Sequence, residues 1–419
     1  MNYDGKIKKT ENTKGIKIGD FLFFMSMIFV VGFPIPSIFK AISIVAFFLY
    51  TFLLQIIQNK ALGNMLHYFW AVSFFAYCHI SKMWSVFPES AKEVISNVQW
   101  CMLLSVAIVN YIIIYKLTVI DIAKRMALVA CVFMIDVMIF GTFFKSRLTL
   151  MVGDYLVNAN TFGQIPIGIA CFLLFWAKKK KWKNFFLISA VIILLTVSLL
   201  SGSRKTLLSI IIYIIFIAFY EYPSDSAEKT IGKILGITAI FVIAYICIFN
   251  IDVLYDTIGS RMETLFDFLD GNDTSDDSAK TRMMMMENAF EMFKNKPFFG
   301  YGLNTFSWLT KFNTYSHNNY VELLANLGFV GFSVYYIPLF VYFYKAYKNW
   351  AKGQDGSILP LASMFVFLVN DFANVSYFAL VPHVFLAFAI GLSINNTDQT
   401  MSKEINRNKK EPKKEQNPI

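Results

Sequence analysis

The chain has 419 residues, of which 56% are hydrophobic and 17% aromatic, with a mean hydropathy of +0.52 and a formal net charge of +10. This is far more apolar surface than one soluble core can bury, so a soluble globular protein is excluded and an integral membrane protein is expected. In a soluble chain the positive balance would suggest nucleic acid. Here Lys and Arg sit in short loops between apolar runs, where they set orientation, and no nucleic-acid partner is expected.

Residues 1–19 are polar and carry Lys6, Lys8, Lys9, Lys14 and Lys17 with no small-residue cleavage site after them, which reads as a retained cytoplasmic tail. A bilayer core about 30 Å thick takes roughly 20 apolar residues per helix, and about twelve such runs can be drawn. Within residues 20–249 they are 20–36, 38–57, 64–83, 97–115, 122–144, 161–177, 184–201, 205–221 and 231–249. Within residues 319–394 they are 319–345, 358–374 and 377–394. Threaded from an inside N-terminus, these spans leave Lys60, Lys116, Lys124, Arg125, the run Lys178 to Lys181, Lys229, Lys233, Lys345 and Lys348 on the cytoplasmic side.

The even count returns the basic tail, 395–419, to that side with Lys403, Arg407, Lys409, Lys410, Lys413 and Lys414. The expected fold class is therefore an all-α polytopic membrane protein with about twelve transmembrane helices and both termini cytoplasmic. Cys78, Cys101, Cys131, Cys171 and Cys247 all lie in apolar runs without metal-ligand spacing, so they read as small core residues, and neither a metal nor a cofactor is expected.

The one long connection, residues 250–318, falls on the outer side, and a loop of that length is unusual unless functional. Ser278 can cap a helix from about Ala279 to Phe293, whose Met283, Met286, Ala289, Phe290 and Phe293 recur at helical spacing. Asn295-Lys296-Pro297 should end it, and Phe298-Phe299-Gly300-Tyr301-Gly302 should turn the chain back as a pocket lid. The acidic stretch Asp267 to Asp277 reads as a solvated tip, because it lacks the spaced ligands and terminal Glu of a calcium loop.

Three groups collect on the outer side of this topology: Arg204 in Ser201-Gly202-Ser203-Arg204-Lys205, Arg282 in the loop helix, and His317 in His317-Asn318-x9-Gly328-Phe329-Val330-Gly331. Arginine presents a planar fork of donors that stays charged in a low-dielectric site and suits phosphate or pyrophosphate. Histidine at a membrane edge can accept a proton or donate a hydrogen bond near neutral pH. The plain alternatives are a snorkelling Arg204, an Arg282 on a solvated face with Lys280 and Glu287, a satisfied loop histidine, and glycines four apart that serve close packing. Lys205 and Asn318 are supporting substrate-binding candidates, Glu322 could orient His317, and Asp371 would be costly to bury unpaired. His67, His79 and His383 lie on apolar faces and read as structural. No Walker loop, HExxH, GxSxG or dinucleotide fingerprint is present.

In the segments Leu200 to Arg204, Arg282 to Gly302 and His317 to Gly331, the chain resembles the O-antigen ligase and Wzy-type polysaccharide polymerase superfamily, over roughly residues 150–335. The resemblance maps that family's functional arginines onto Arg204 and Arg282 and its histidine onto His317. It implies a metal-independent glycosyltransferase on the outer face of the cytoplasmic membrane, acting on an undecaprenyl-pyrophosphate-linked oligosaccharide. A flippase and a chain-length regulator are further partners that it implies. Phe332 stands where ligases often have Gly, Thr or Tyr, which favours a polymerase over a ligase. A lipid-linked oligosaccharide flippase or transporter is the alternative from another class, but no internal repeat or set of mid-membrane charges supports it.

Overall fold

The computed structural model describes residues 4–31, 37–58, 65–219, 226–269 and 277–410. The first five helices are α1 (Asp4–Val31), α2 (Ser37–Ile57), α3 (Met65–Ile80), α4 (Ala91–Tyr115) and α5 (Val119–Phe140). A small antiparallel sheet follows, of β1 (Gly141–Phe144), β2 (Arg147–Val152) and β3 (Tyr155–Leu156) in the order β1-β2-β3. Then come α6 (Ala159–Lys179), α7 (Phe185–Leu200), α8 (Arg204–Ala218) and α9 (Ala227–Asn250). The long connection holds α10 (Asp252–Leu254), α11 (Ser260–Leu269), α12 (Asp277–Asn295) and α13 (Phe306–Leu309), and the chain closes with α14 (Asn319–Ala351), α15 (Ile358–Asn370) and α16 (Leu380–Lys410).

A helix lies on each of the twelve apolar runs. Among the described residues five are long and apolar enough, by length and composition, to cross a membrane: Ile38–Ile57, Pro88–Tyr115, Ala159–Lys179, Ala227–Asn250 and Asn319–Ala351. Ile18–Val31, Phe185–Leu200, Ile358–Asn370 and Leu380–Asn395 are shorter apolar helices. α3, α5 and α8 belong to neither group, and α5 is interrupted by Asp121, Lys124, Arg125 and Asp136. Both expected tails are partly helical, since α1 begins at Asp4 and α16 runs to Lys410. Nothing in either charged stretch breaks a helix that the apolar run has already nucleated.

The sheet departs from the all-α expectation. Residues 141–144, assigned from sequence to the end of the fifth span, are a strand paired Phe144↔Arg147 across a two-residue turn, Lys145-Ser146. Both turn residues have positive φ, 49° and 61°, the handedness that two-residue hairpins need.

α4 is apolar nearly all round in its second half and buried from Leu104 to Ile114 among α2, α3 and α16, as a helix without a polar face must be. α9 is the opposite case, with Ile231, Leu235, Ile243 and Tyr245 exposed along its length, the pattern of a helix whose solvent is lipid. One end of the bundle is tied by Arg125 to Asp20 at 2.8 Å and by Asn395 Nδ2 to the Leu117 carbonyl at 2.9 Å. The hairpin, the Ser201–Ser203 turn, the long connection and the 371–377 turn gather at the other end.

The Gly-x-x-Gly pair proves to be a backbone joint. At Gly328 the chain leaves helical conformation (φ 66°, ψ −172°), so α14 is two helical pieces across a break. The groups freed there pair with residues 297–302: Tyr301 N–H donates to the Ala325 carbonyl (3.1 Å) and Gly302 N–H to Asn326 (2.7 Å). In return Phe329 N–H donates to the Pro297 carbonyl (2.7 Å) and Val330 N–H to Phe298 (3.1 Å). A Cβ at Gly328 would lie 2.3 Å from the Phe298 carbonyl oxygen, and one at Gly331 would lie 2.7 Å from the Tyr77 ring. The Phe298–Gly302 segment is thus a clasp on α14 and not the lid expected from sequence, because its backbone groups are spent on the break.

Gly328→Ala should therefore cost at least about 1–2 kcal/mol through the left-handed conformation alone, whereas Gly232→Ala, a helical position with open space around it, should be neutral or stabilising by about 0.4–1 kcal/mol. Thermal unfolding of the two variants in detergent checks the contrast.

Candidate functional site

The loop helix α12 turns a different face inward from the one expected. Met285 and Ala289 are buried with Phe306 and Ala325, and Met292, Val321 and Phe312 pack around them, while Met283 and Phe290 are exposed. The inward stripe is thus 285, 289 and 292, and Arg282 lies one turn before it on the same face. The apparent solvated-face alternative for Arg282 fails on this point, since it is half-buried. The Ser278 side chain and residues 270–276, most of the acidic tip, lie outside the described residues.

His317 follows a loop fixed by α14. The buried Glu322 carboxylate accepts Ser316 N–H (2.7 Å) and Asn326 Nδ2–H (2.8 Å), and Asn326 Oδ1 accepts Phe306 N–H (2.8 Å). Glu322 therefore fixes the backbone beside the histidine, and not the imidazole as expected. Asn318 caps α14, its Oδ1 accepting Tyr320 N–H (3.0 Å) and Val321 N–H (3.2 Å), so helix capping and not ligand contact already uses that oxygen. His317 itself has φ 58°, a left-handed conformation that a β-carbon disfavours, and its ring meets Tyr315 edge to face at 4.6 Å.

The surroundings of the imidazole are cationic. Burial, then Arg282, then Lys205 pull its pKa down to about 4, so the ring is neutral at neutral pH with a lone pair to offer. Arg147 is drawn down to about 10 by burial and by Arg261 and Arg282, and it remains charged. Lys205 is within electrostatic reach of Arg282, Arg147 and Asp371. The basic side chains Arg147, Lys205, Arg261 and Arg282 thus share this end of the bundle with two buried carboxylates, Glu322 and Asp371.

Arg147 anchors the arrangement. Its Nε donates to the Ser201 carbonyl (2.7 Å) and its Nη2 to Asn160 Oδ1 (2.6 Å), clamping the hairpin, the start of α6 and the turn before α8. Gly202 in that turn has φ 62°, and a Cβ there would meet the Thr257 carbonyl oxygen at 2.6 Å. Asp371 is held through Oδ2 by Tyr336 O–H (2.7 Å) and Asn319 Nδ2–H (3.2 Å), and Asn319 Oδ1 accepts Ser376 N–H (2.9 Å).

Of the residues singled out in the sequence, Arg282 and Lys205 lie within electrostatic reach of His317. Arg204 Nη2 donates to Thr264 on α11 at 3.2 Å. Arg147 was missed because its strand lay beside a stretch read as span and outer turn. An arginine on the side where positive charge is sparse was the available signal. Among the described residues no three His, Cys, Asp or Glu side chains are grouped to hold a metal ion.

Apolar helices, one long connection and a group of basic side chains at one end are the features of a multi-pass, predominantly helical membrane protein. Residues 189–336 match the family model described as O-antigen ligase, Wzy_C, so this region of the chain is similar to that family. The match takes in α8, α12, His317 and the Gly328 break. Among curated proteins none matches the chain.

The low His317 pKa has a sign that can be measured. A depressed value means that the unfolded chain binds the proton more tightly, so His317 contributes stability above its ordinary value of 6.5 that is lost as pH falls from there through about 4. Arg282→Gln and Lys205→Met each remove a repelling charge, so each should raise the His317 pKa toward 6.5. Histidine-selective NMR titration reads that shift, and an unchanged pKa in both variants would contradict the described electrostatics.

Proposed function

We propose that the protein is a polysaccharide polymerase that joins oligosaccharide repeat units carried on undecaprenyl pyrophosphate, on the outer face of the cytoplasmic membrane, releasing undecaprenyl pyrophosphate. The single observation that carries this reading is the surplus of cations around a neutral imidazole at one end of an apolar bundle. A lipid diphosphate supplies both complements: negative charge for the cations and a prenyl tail for the surrounding helices.

In this reading an acceptor hydroxyl oxygen forms the new bond to the anomeric carbon as the bond from that carbon to the diphosphate oxygen breaks. The electron pair leaves with the polyprenyl diphosphate. Arg282, Lys205 and Arg147 stabilise the charge that develops there, each by about 3 kcal/mol. Arg204, the second arginine that the resemblance singles out, acts from the α8 end of the same pocket once it leaves Thr264. Asn318 and Lys205 line the donor. His317 Nε2 or Nδ1 takes the hydroxyl proton, a contribution of about 100- to 10,000-fold. Binding of the anionic donor neutralises its cationic neighbours and raises its basicity at the moment it is needed. No metal or cofactor enters this scheme, and a flippase and a chain-length regulator would supply and meter the repeat units.

The family description, O-antigen ligase, favours a second reading in which the acceptor is a different glycolipid or a protein. Product sizing separates the two, since a polymerase yields a ladder of repeats and a ligase a single transfer.

His317→Ala should abolish long polymer while protein level and membrane insertion stay normal. Arg282→Lys should remain impaired by tenfold or more, because charge is kept and the bidentate fork is lost, and Arg204→Lys should be milder. Polymer ladders in a complemented deletion strain report all three, and undiminished polymer in His317→Ala would remove it from the mechanism. Activity of the purified protein should survive EDTA; loss with EDTA and recovery with magnesium would contradict the metal-free scheme.

A further inference from the structure

A cavity of about 310 Å³ lies at the same end of the bundle, walled by the hairpin, the tip of α1, the start of α2 and α6, and the 374–382 segment. It falls at the lower end of the range of small-molecule sites, about 300–1,000 Å³. Tyr315 forms part of its wall, and that ring also packs on His317 at 4.6 Å, so the cavity and the imidazole are separated by one side chain. Gln164 and Asn374 line it and also wall a second, smaller cavity lined by Asp371.

The lining has a definite chemistry. Tyr155, Tyr315 and Phe378 offer ring faces, Gln164 and Asn374 offer amides that both donate and accept, and among the described residues of the wall Lys40 is the one that is charged, with no Asp or Glu beside it. Lys40 is half-buried, and among the described residues no carboxylate pairs with it. A lysine withdrawn from water beside an otherwise uncharged cavity is stabilised by an anionic ligand. Ring faces and amides around one cation fit a sugar carrying a single carboxylate better than a second diphosphate, for which several cations would be expected.

We propose that this cavity is the subsite for an acidic sugar of the acceptor saccharide, with its carboxylate held by Lys40 and its ring against Tyr315, so that a hydroxyl on that sugar or the next reaches His317. The inference rests on the glycosyl-transfer reading above and adds to it a substrate class: the acceptor unit contains a uronic acid or a sugar with an equivalent carboxylate. Lys40 is thereby a specificity-determining residue and takes no part in bond breaking.

The test uses the purified full chain in nanodiscs and a matched pair of probes, methyl glucuronide and methyl glucoside, which differ in one carboxylate. The wild type should bind the glucuronide about tenfold or more tightly than the glucoside, the worth of one charge-assisted hydrogen bond. Lys40→Met and Lys40→Gln should erase that preference, and Lys40→Arg should keep most of it. No preference in the wild type, or a preference that survives in both neutral variants, would overturn the proposal. So would competition for Lys40 by phosphatidylglycerol in the disc that abolishes glucuronide binding, since the cation would then serve a lipid headgroup. Inorganic pyrophosphate binding should be unchanged in every Lys40 variant. If pyrophosphate fails to bind while the Lys40-dependent preference stands, the diphosphate reading falls and the sugar site remains.

Discussion

The break at Gly328 is the constraint on which the site depends. A continuous α14 would satisfy its own carbonyls at Ala325 and Asn326 and its own N–H groups at Phe329 and Val330, and the 297–302 segment would have nothing to hold. Because the backbone turns over at Gly328, those four groups become a docking edge, and the segment that ends α12 is pinned there. α12 is then laid along the first piece of α14 with Met285 and Ala289 against Ala325. Arg282, one turn away, comes within electrostatic reach of His317, which stands just before that same piece. Two glycine motifs far apart in the chain are thus the two halves of one joint.

The second constraint is electrostatic. Arg147, Lys205, Arg261 and Arg282 repel one another in a half-buried setting where each also loses hydration, and Asp371 answers only part of that charge. Such an arrangement is costly to keep in an empty protein and is relieved by a multiply charged anion. The same field keeps His317 neutral, so the group that would accept a proton is available across the physiological range. The left-handed backbone at His317 is a further local cost, offset by Glu322 holding Ser316 and by Asn318 capping α14 on either side of it.

Much of the helical framework was legible because apolar runs of bilayer length admit few alternatives, and a helix lies on every run that composition marked. The hairpin was not legible, because Gly141-Thr142-Phe143-Phe144 extends an apolar run without interruption and a short apolar stretch does not distinguish strand from helix. With the hairpin went Arg147. The inward face of α12 was misjudged by about one residue, since four consecutive methionines blur the periodicity that would have set it. The clasp reads as a lid in the sequence because a glycine-rich turn after a proline looks the same whether its backbone groups face water or a broken helix. The electrostatic coupling of Arg282 to His317 follows from placing α12 against α14. The hydrogen bond from Arg204 to Thr264 depends on α11, which no local pattern reveals.

The central claim is that the cations around His317 grip a lipid diphosphate while a sugar hydroxyl is joined to its anomeric carbon. The most direct measurement is purified protein in liposomes, given a synthetic undecaprenyl-pyrophosphate oligosaccharide labelled separately in its phosphates and its sugar. Labelled undecaprenyl pyrophosphate should be released in step with each lengthening of the sugar product in the wild type, and neither should form with His317→Ala. Sugar chains that lengthen without release of undecaprenyl pyrophosphate, or lipid-linked units that cross the bilayer with no new glycosidic bond, would contradict it.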